Sequence, residues 1–489
     1  MSIRTAAVVL AVALPALAVR DPSKPTWWDK YQYLSTHAPD ASPDGTVSLS
    51  VGRNVDVSNE CGPQSETFIA IDPTRPKRLA AGSNEIFRNP MRGYFSTDNG
   101  ASWGGVDLPL PACKNQNGTC FGSDPSLAFD SRGTLYYSYI VVYFGNGNGV
   151  SATQMAVARS TDGGRTYPQA TFFALAGGSS HFNDKPMVTA DQNAASPFRD
   201  NVYVAWDAAI GGSTGGGVQV ATSSDGGATF SLARVDGPSG QGHSIGATVT
   251  TGPRGEVYVA WNDIAKNAIV FNSSLDGGAT WGAPRVISFK SIRFDIAIPA
   301  ESVRAALVYP ACDTDRSIGP RSGRVTCSWM DLAEDGAHTD LYASVSDDGG
   351  ATWSARGTIG ESLPRVDRFN HWLATDPVTG QVNVSYYDTR NDTTGAGFMT
   401  DVYLSQSADG QTFGASVRVS DVSSNEHDCN GTFPCDSINY GNQQGDYEGV
   451  AAYGGVVHPI WTDSRRNQTP GPTCATRGLM EEVFTATVK

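Results

Sequence analysis

Between Ser244 and Ser288 the chain reads SIGATVTT, EVYVAWND, AIVFNSS and PRVIS, four short strand-like runs in which apolar positions rich in Val, Ile and aromatic residues are flanked by polar ones. Such runs, bounded by turn residues, mark strands. Similar sets of four runs recur along the chain, separated by connections rich in Gly and Pro. The third and fourth runs of a set are joined by an octapeptide, here SLDGGATW at Ser274–Trp281. Near copies are STDNGASW (from Ser96), STDGGRTY (from Ser160), SSDGGATF (from Ser223) and SDDGGATW (from Ser346), with a shortened SADGQTF from Ser407. Ser and Asp side chains hold a tight turn through nearby backbone N–H groups, and the Gly-Gly step supplies positive φ. The terminal aromatic is expected to enter the apolar layer beneath. The octapeptide is therefore a stapled hairpin turn with a structural role.

The acids of these turns are taken as Asp98, Asp162, Asp225, Asp276, Asp347 and Asp409, spaced by about 60 residues. Four short strands per period of this length predict propeller blades. After the sixth turn one incomplete unit remains: GDYEGVAAYGG, VVHPIWTDSR and EVFTATVK supply three strands. The fourth is found near the other end, where NVDVSN (Asn54–Asn59) resembles the fourth strand of the preceding unit. The expectation is an all-β, seven-bladed propeller of four-stranded antiparallel blades. Its ring closes by pairing Asn54–Ser58 with Val483–Val488, and a Cys61–Cys474 bridge would lock it.

The turns resemble the Asp boxes, or BNR repeats, of the sialidase superfamily, carried by STDGG, SSDGG, SLDGG and SDDGG, each followed two residues later by an aromatic. The resemblance spans most of the chain and implies an Asp-box propeller with its site on the face opposite the boxes. Relatives of this kind include sialidases, other glycosidases, polysaccharide lyases and binding proteins. The chain departs from the sialidase pattern of three arginines. Glu66 stands where the first is expected, and FRNP at Phe87–Pro90 falls in the wrong strand. Arg293, Arg368, Arg390 and Arg465 remain as sources of an anion site.

Composition changes this picture in a few places. Residues 1–18, with Arg4, an apolar run and small residues before position 19, read as a secretory signal peptide. Residues 19–46 are an N-terminal extension, and 47–489 the propeller. A secreted, extracellular protein without a membrane span is expected, and a monomer. Eight cysteines suit an oxidising compartment. Cys113/Cys120, Cys312/Cys327 and Cys429/Cys435 are close enough in sequence to pair. No CxxC spacing occurs, so no metal site is assigned, although a structural calcium ion has room in such folds. Sequons at Asn117, Asn272, Asn391, Asn430 and Asn467 lie in turn-like sequence, and that at Asn383 inside a strand. A net charge of −14 argues against nucleic acid as a partner.

On the face opposite the boxes lie first-strand starts and second-strand ends. The starts are read as Glu66, Asp124, Asp184 with Lys185, His243, Asp295, His371, and Asp446 with Tyr447. The ends are Glu85, Asp207, Asp263, Asp331, Asp388 with Arg390, and Asp463 with Arg465. The last five share a W/Y-(x)-D ending, and capping of loop backbone explains such acids as readily as chemistry does. Asp184 and Lys185 read equally as a local ion pair. The D-x-R spacing at Asp388/Arg390 and Asp463/Arg465 suits a carboxylate clamp, or else each arginine pairs only with its own acid. NYGNQQGDYEGVAA places Tyr440, Asp446, Tyr447 and Glu448 together, with Asp446 and Glu448 on one strand face.

The leading functional expectation is a sialidase-like glycoside hydrolase acting on an acidic glycan by carboxylate acid/base chemistry. Its catalytic candidates are Asp446, Tyr447, Glu448, Asp388, Asp463, His371 and His243. Arg390, Arg465, Arg368, Asp184, Lys185, Tyr387 and Trp372 are the substrate-binding candidates, and no cofactor is required. The alternatives are a polysaccharide lyase cleaving beside a uronic acid, with His243 or His371 as base, and a non-catalytic glycan- or protein-binding propeller.

Overall fold

The computed structural model describes residues 49–59, 63–86, 88–113, 120–144, 150–177, 183–208, 217–237, 243–301, 305–427, 444–465 and 481–489. Seven antiparallel sheets form a ring of blades, and every regular element among the described residues is a strand. The protein is an all-β, seven-bladed propeller. Blades one to six run inside to outside in chain order. Blade four, for example, is Ser244–Thr251, Val257–Asp263, Ala268–Ser274 and Arg285–Phe289. The continuous apolar stretches of the second strands follow from burial on both sheet faces. Trp206, Trp261, Trp329 and Trp461 occupy matching positions in their second strands and are at most 1 % exposed.

The seventh blade is composite. Val55 pairs with Thr485 and Asp56 with Phe484, next to the strands Val456–Asp463 and Gly449–Tyr453. Val57 N donates to Val483 O, and Val51 bridges Val488. The strand clasp is as expected from the sequence. Cys61 and Cys474, proposed to lock it, lie outside the described residues, as do Cys429 and Cys435. Cys113–Cys120 and Cys312–Cys327 are disulfides.

The boxes are built as their letters suggest. Ser274 Oγ donates to Asp276 Oδ1 at 2.7 Å and accepts from Gly278 N at 2.9 Å. Asp276 also accepts from Thr280 N and Thr280 Oγ1 at 2.8 and 2.6 Å. Gly277 and Gly278 sit at φ 68° and 88°, where a Cβ is strained. Three readings of the sequence are corrected. The acid of the fifth box is Asp348, which bonds Ser346 and Thr352, whereas Asp347 turns outward to Arg324 at 2.7 Å. Asn272 is not in a turn: it is 2 % exposed within the strand Ala268–Ser274 and donates to Val235 O and Gly282 O. The first strand of blade five is Ala311–Thr314, not the segment at Asp295. Asp295–Ile296 instead pairs with Ala306–Leu307 in a small inserted hairpin.

Candidate functional site on the propeller axis

Strand register fixes which residues meet at the centre. Phe68, Ser126, Met187, Thr248, Ala311, Trp372 and Gly449 are equivalent, each opposite the residue that precedes the second-strand Trp or its counterpart. Two residues earlier come Glu66, Asp124, Lys185, Gly246, Tyr309, Asn370 and Tyr447, one from every blade. In five blades the register slips here by a bulge, and the residue takes a left-handed conformation. The φ values are 52° at Glu66, 60° at Asp124, 45° at Lys185, 72° at Gly246 and 45° at Asn370. A bulge re-aims its side chain, and left-handed non-glycine residues are kept where the surroundings enforce them.

These positions converge across the ring. Lys185, from blade three, reaches the rings of Tyr309, Tyr447 and Trp372 in blades five, seven and six, its Nζ lying 4.6, 4.8 and 5.1 Å from their centroids. Tyr447 donates to Pro125 O of blade two at 3.2 Å. Gly246 has no side chain because Tyr309 fills the space: a Cβ there would lie 2.0 Å from Tyr309 Cδ1.

Carboxylates surround the caged ammonium. Lys185 N donates to Asp124 Oδ2 at 3.0 Å, and Asn84 links Asp124 N (2.6 Å) to Glu66 Oε2 (2.7 Å). Asp207 accepts from Gly246 N and Ala247 N at 2.8 and 3.2 Å, so it holds the next blade's bulge in place. Burial raises the Asp184 carboxyl well above the usual range, helped by the charge of Asp124 and a hydrogen bond to it, and then by Asp207 and Asp446. Asp207 is pushed up to about 7 by burial, against its two N–H donors and Lys185. Lys185 is drawn down to about 8 by burial, opposed by Asp207, Glu66, Asp446 and Asp124. Its Nζ makes no hydrogen bond, so Asp184 and Lys185 are not a simple ion pair.

Of the residues singled out in sequence, Asp184, Lys185, Trp372, Asp446 and Tyr447 meet at the axis. Burial raises the Tyr447 phenol, which leaves it a neutral donor. Glu448 is 1 % exposed, lies beside Tyr387 and is driven by burial towards its neutral form. Tyr387 spans two blades, donating to Thr462 O at 2.7 Å and accepting from Thr462 N at 3.0 Å. His371 is 5 % exposed, and burial brings it down to about 4. His243 lies exposed at the start of blade four.

The arginines lie in the blade walls. Arg390 pairs with Asp388 at 2.7 Å and with Glu361, and stacks 3.9 Å over Tyr403. Arg465 pairs with Asp463 at 2.7 Å and with Asp421, beneath Asn54 at 2.9 Å. Arg368 is 1 % exposed and bonds both Asp388 and Asp340 at 3.1 Å. Arg293 is exposed outside the cluster. Asp263 and Asp331 cap loop N–H groups, of Lys266 and of Ser291 and Ile292. Asp207 differs because it sits one register position earlier than Asp263, Asp331, Asp388 and Asp463, which turns its side chain to the other face of the strand. Tyr309 was missed because the inserted hairpin displaces the start of blade five. Glu66 and Asp124 were visible as strand starts, but their bulges are not. His181 and Tyr440 lie outside the described residues. No group of His, Cys, Asp and Glu among the described residues is arranged to hold a metal ion.

Solved structures to which the chain is similar include the Hadza microbial sialidase Hz136, at 16 % identity over 68 % of this chain and 66 % of that one, TM-score 0.45. The NanB sialidase of Streptococcus pneumoniae gives 11 % identity over 75 % and 70 %, TM-score 0.46. The alpha-L-arabinofuranosidase Arb93A of Fusarium graminearum gives 11 % over 75 % and 92 %, TM-score 0.39. No curated protein matches the sequence. The BNR repeat-like domain matches residues 113–387, more than half of the chain. With six boxes in place on a seven-bladed ring, the chain belongs to the BNR repeat-like family.

Proposed function

We propose that the protein is an exported glycoside hydrolase whose chemistry is done by the axial carboxyls. The observation that carries this reading is the hydrogen-bonded pair Asp124–Asp184, within electrostatic reach of a third acid, Asp446, from blade seven. Asp184 is the proton donor. It is held neutral at a pH where an ordinary carboxyl is ionised, as a general acid requires. In the reaction its proton passes to the glycosidic oxygen as the bond to the anomeric carbon breaks. Asp446 stabilises the sugar cation or activates the incoming water, whose hydroxyl ends on that carbon. The rings of Trp372 and Tyr309 give a sugar an apolar face beside the acids.

The substrate assigned is a neutral glycan rather than an acidic one. Arg368, Arg390 and Arg465 are each held by carboxylates in the wall, and the acids at the axis repel an anionic group. Elimination beside a uronate is less well supported, since burial leaves His371 a weak base. The two disulfides suit an exported protein. The test is incubation of the protein with neutral and acidic glycans, following reducing sugar and unsaturated uronate. Reducing sugar from neutral glycans, lost in Asp184→Asn, is the expected result. Unsaturated uronate would establish a lyase, and glycan binding without any product a binding module.

A further inference from the structure

Lys185 is a charged side chain 2 % exposed, with no hydrogen bond to its ammonium, at a level of the axis to which every blade contributes a residue. An isolated buried ammonium is costly, so its persistence needs a reason. Three rings face it at 4.6–5.1 Å, and their π-faces replace part of its lost hydration. They also hold it away from any single carboxylate. We infer that Lys185 is a positioning residue for the acid cluster: its caged ammonium holds the acids around it together by a charge shared among them, and so sets which of them serves as the proton donor.

This inference rests on the hydrolase reading for its consequence, but not for its geometry. The charged groups facing Lys185 are Glu66 in blade one, Asp124 in blade two, Asp207 in blade three and Asp446 in blade seven, with Asp184 its neighbour in the strand. Blade six contributes His371, neutral over the working range. Blades five to seven otherwise present uncharged rings. The cluster is thus several acids about one cation. Pairing Lys185 with one acid by direct contact would fix that acid as the base and leave the rest to repel each other. A cation at the centre acts on all of them, and leaves Asp184, which adjoins Asp124, as the proton donor. The left-handed backbone at Lys185 fits the same role, because the bulge is what points the long side chain across the axis.

Lys185→Met keeps an unbranched apolar stem among the rings and removes only the charge. Removing a cation raises the pKa of nearby carboxyls, so the Asp184 carboxyl should titrate at still higher pH. The acid limb of kcat/KM against pH is expected to rise by about 1 unit or more. Titration of ¹³C-labelled aspartate carboxyls, which needs no substrate, should show the same displacement. Lys185→Gln carries the same expectation if the methionine variant does not fold. Folded variants with unmoved carboxyl titrations would overturn the inference even if the enzyme hydrolyses glycans. Displaced titrations in a protein that cleaves no glycan would uphold it and reject the hydrolase. If neither variant folds, the ammonium is structural and the inference fails.

Discussion

The two faces of the propeller use aspartate in opposite ways. On the box face, Asp276 is partly exposed and accepts from three donors on Ser274 and Thr280, which draw its carboxyl down to about 2. At the axis near the other face, Asp184 and Asp207 are enclosed with other acids, and burial drives both upward. The box acids stabilise a turn by being ionised. The axial acids are held in a state that ionisation disfavours, which suits proton transfer and costs stability.

The strongest way to break this contrast is at Asp184. Asp184→Asn is expected to lower turnover by roughly 10²–10⁴-fold with the fold intact by circular dichroism, the usual range for loss of a general acid. Asp276→Ala should leave turnover per folded molecule unchanged, and equal losses in the two variants would abolish the distinction between the faces. Next in size is Arg390→Ala, expected to cost about 3 kcal/mol in chemical denaturation because it removes one of the two arginines on Asp388 and the arginine on Glu361. If it instead weakened glycan binding at unchanged stability, the wall arginines would belong to the site. Asp276→Ala itself should cost about 1–2 kcal/mol for the lost turn bonds, read as a lower midpoint of unfolding.

The comparison also extends to the pH dependence of stability. Asp207 has a folded pKa near 7, above its unfolded value, so the native state holds the extra proton between about pH 4 and 7. Its contribution to stability therefore falls as pH rises through that window. Asp276, with a folded pKa near 2, contributes stability present above about pH 4 and lost as pH falls towards 2. Chemical denaturation at pH 4, 5.5 and 7 should show the first slope, reduced in Asp207→Asn, and no change in slope for Asp276→Ala over the same range.

Most of the fold was legible because it is written in local rules. The Asp-Gly-Gly turns, the strand-like runs and the similarity of NVDVSN to VRVSD each state a hydrogen-bonding requirement within a few residues. The site was legible only in part. Asp184, Lys185, Trp372 and Asp446 could be picked as strand-start residues, but which side chain faces the axis depends on a bulge that shifts alternation by one. Nothing in SETF or SDPS announces that Glu66 and Asp124 are left-handed. The D-x-R pairs misdirect for a related reason. Their second partners, Glu361 and Asp421, come from outer connections whose proximity no spacing reveals.

The composite seventh blade has a consequence for how the molecule is made. Its outer strand, Val55–Asp56, is synthesised before the other six blades and its partner, Glu482–Thr485, after them. Six blades can therefore form in chain order while the early strand waits with its backbone unpaired. Closing that contact carries the largest loop entropy in the molecule and falls at the end of assembly. Until then Tyr447 and Asp446 have no blade to hold them against Lys185. A circular permutant that joins the present ends and opens one box hairpin would make the seventh blade local. It should reach the native ring faster, with the same axial cluster at its centre.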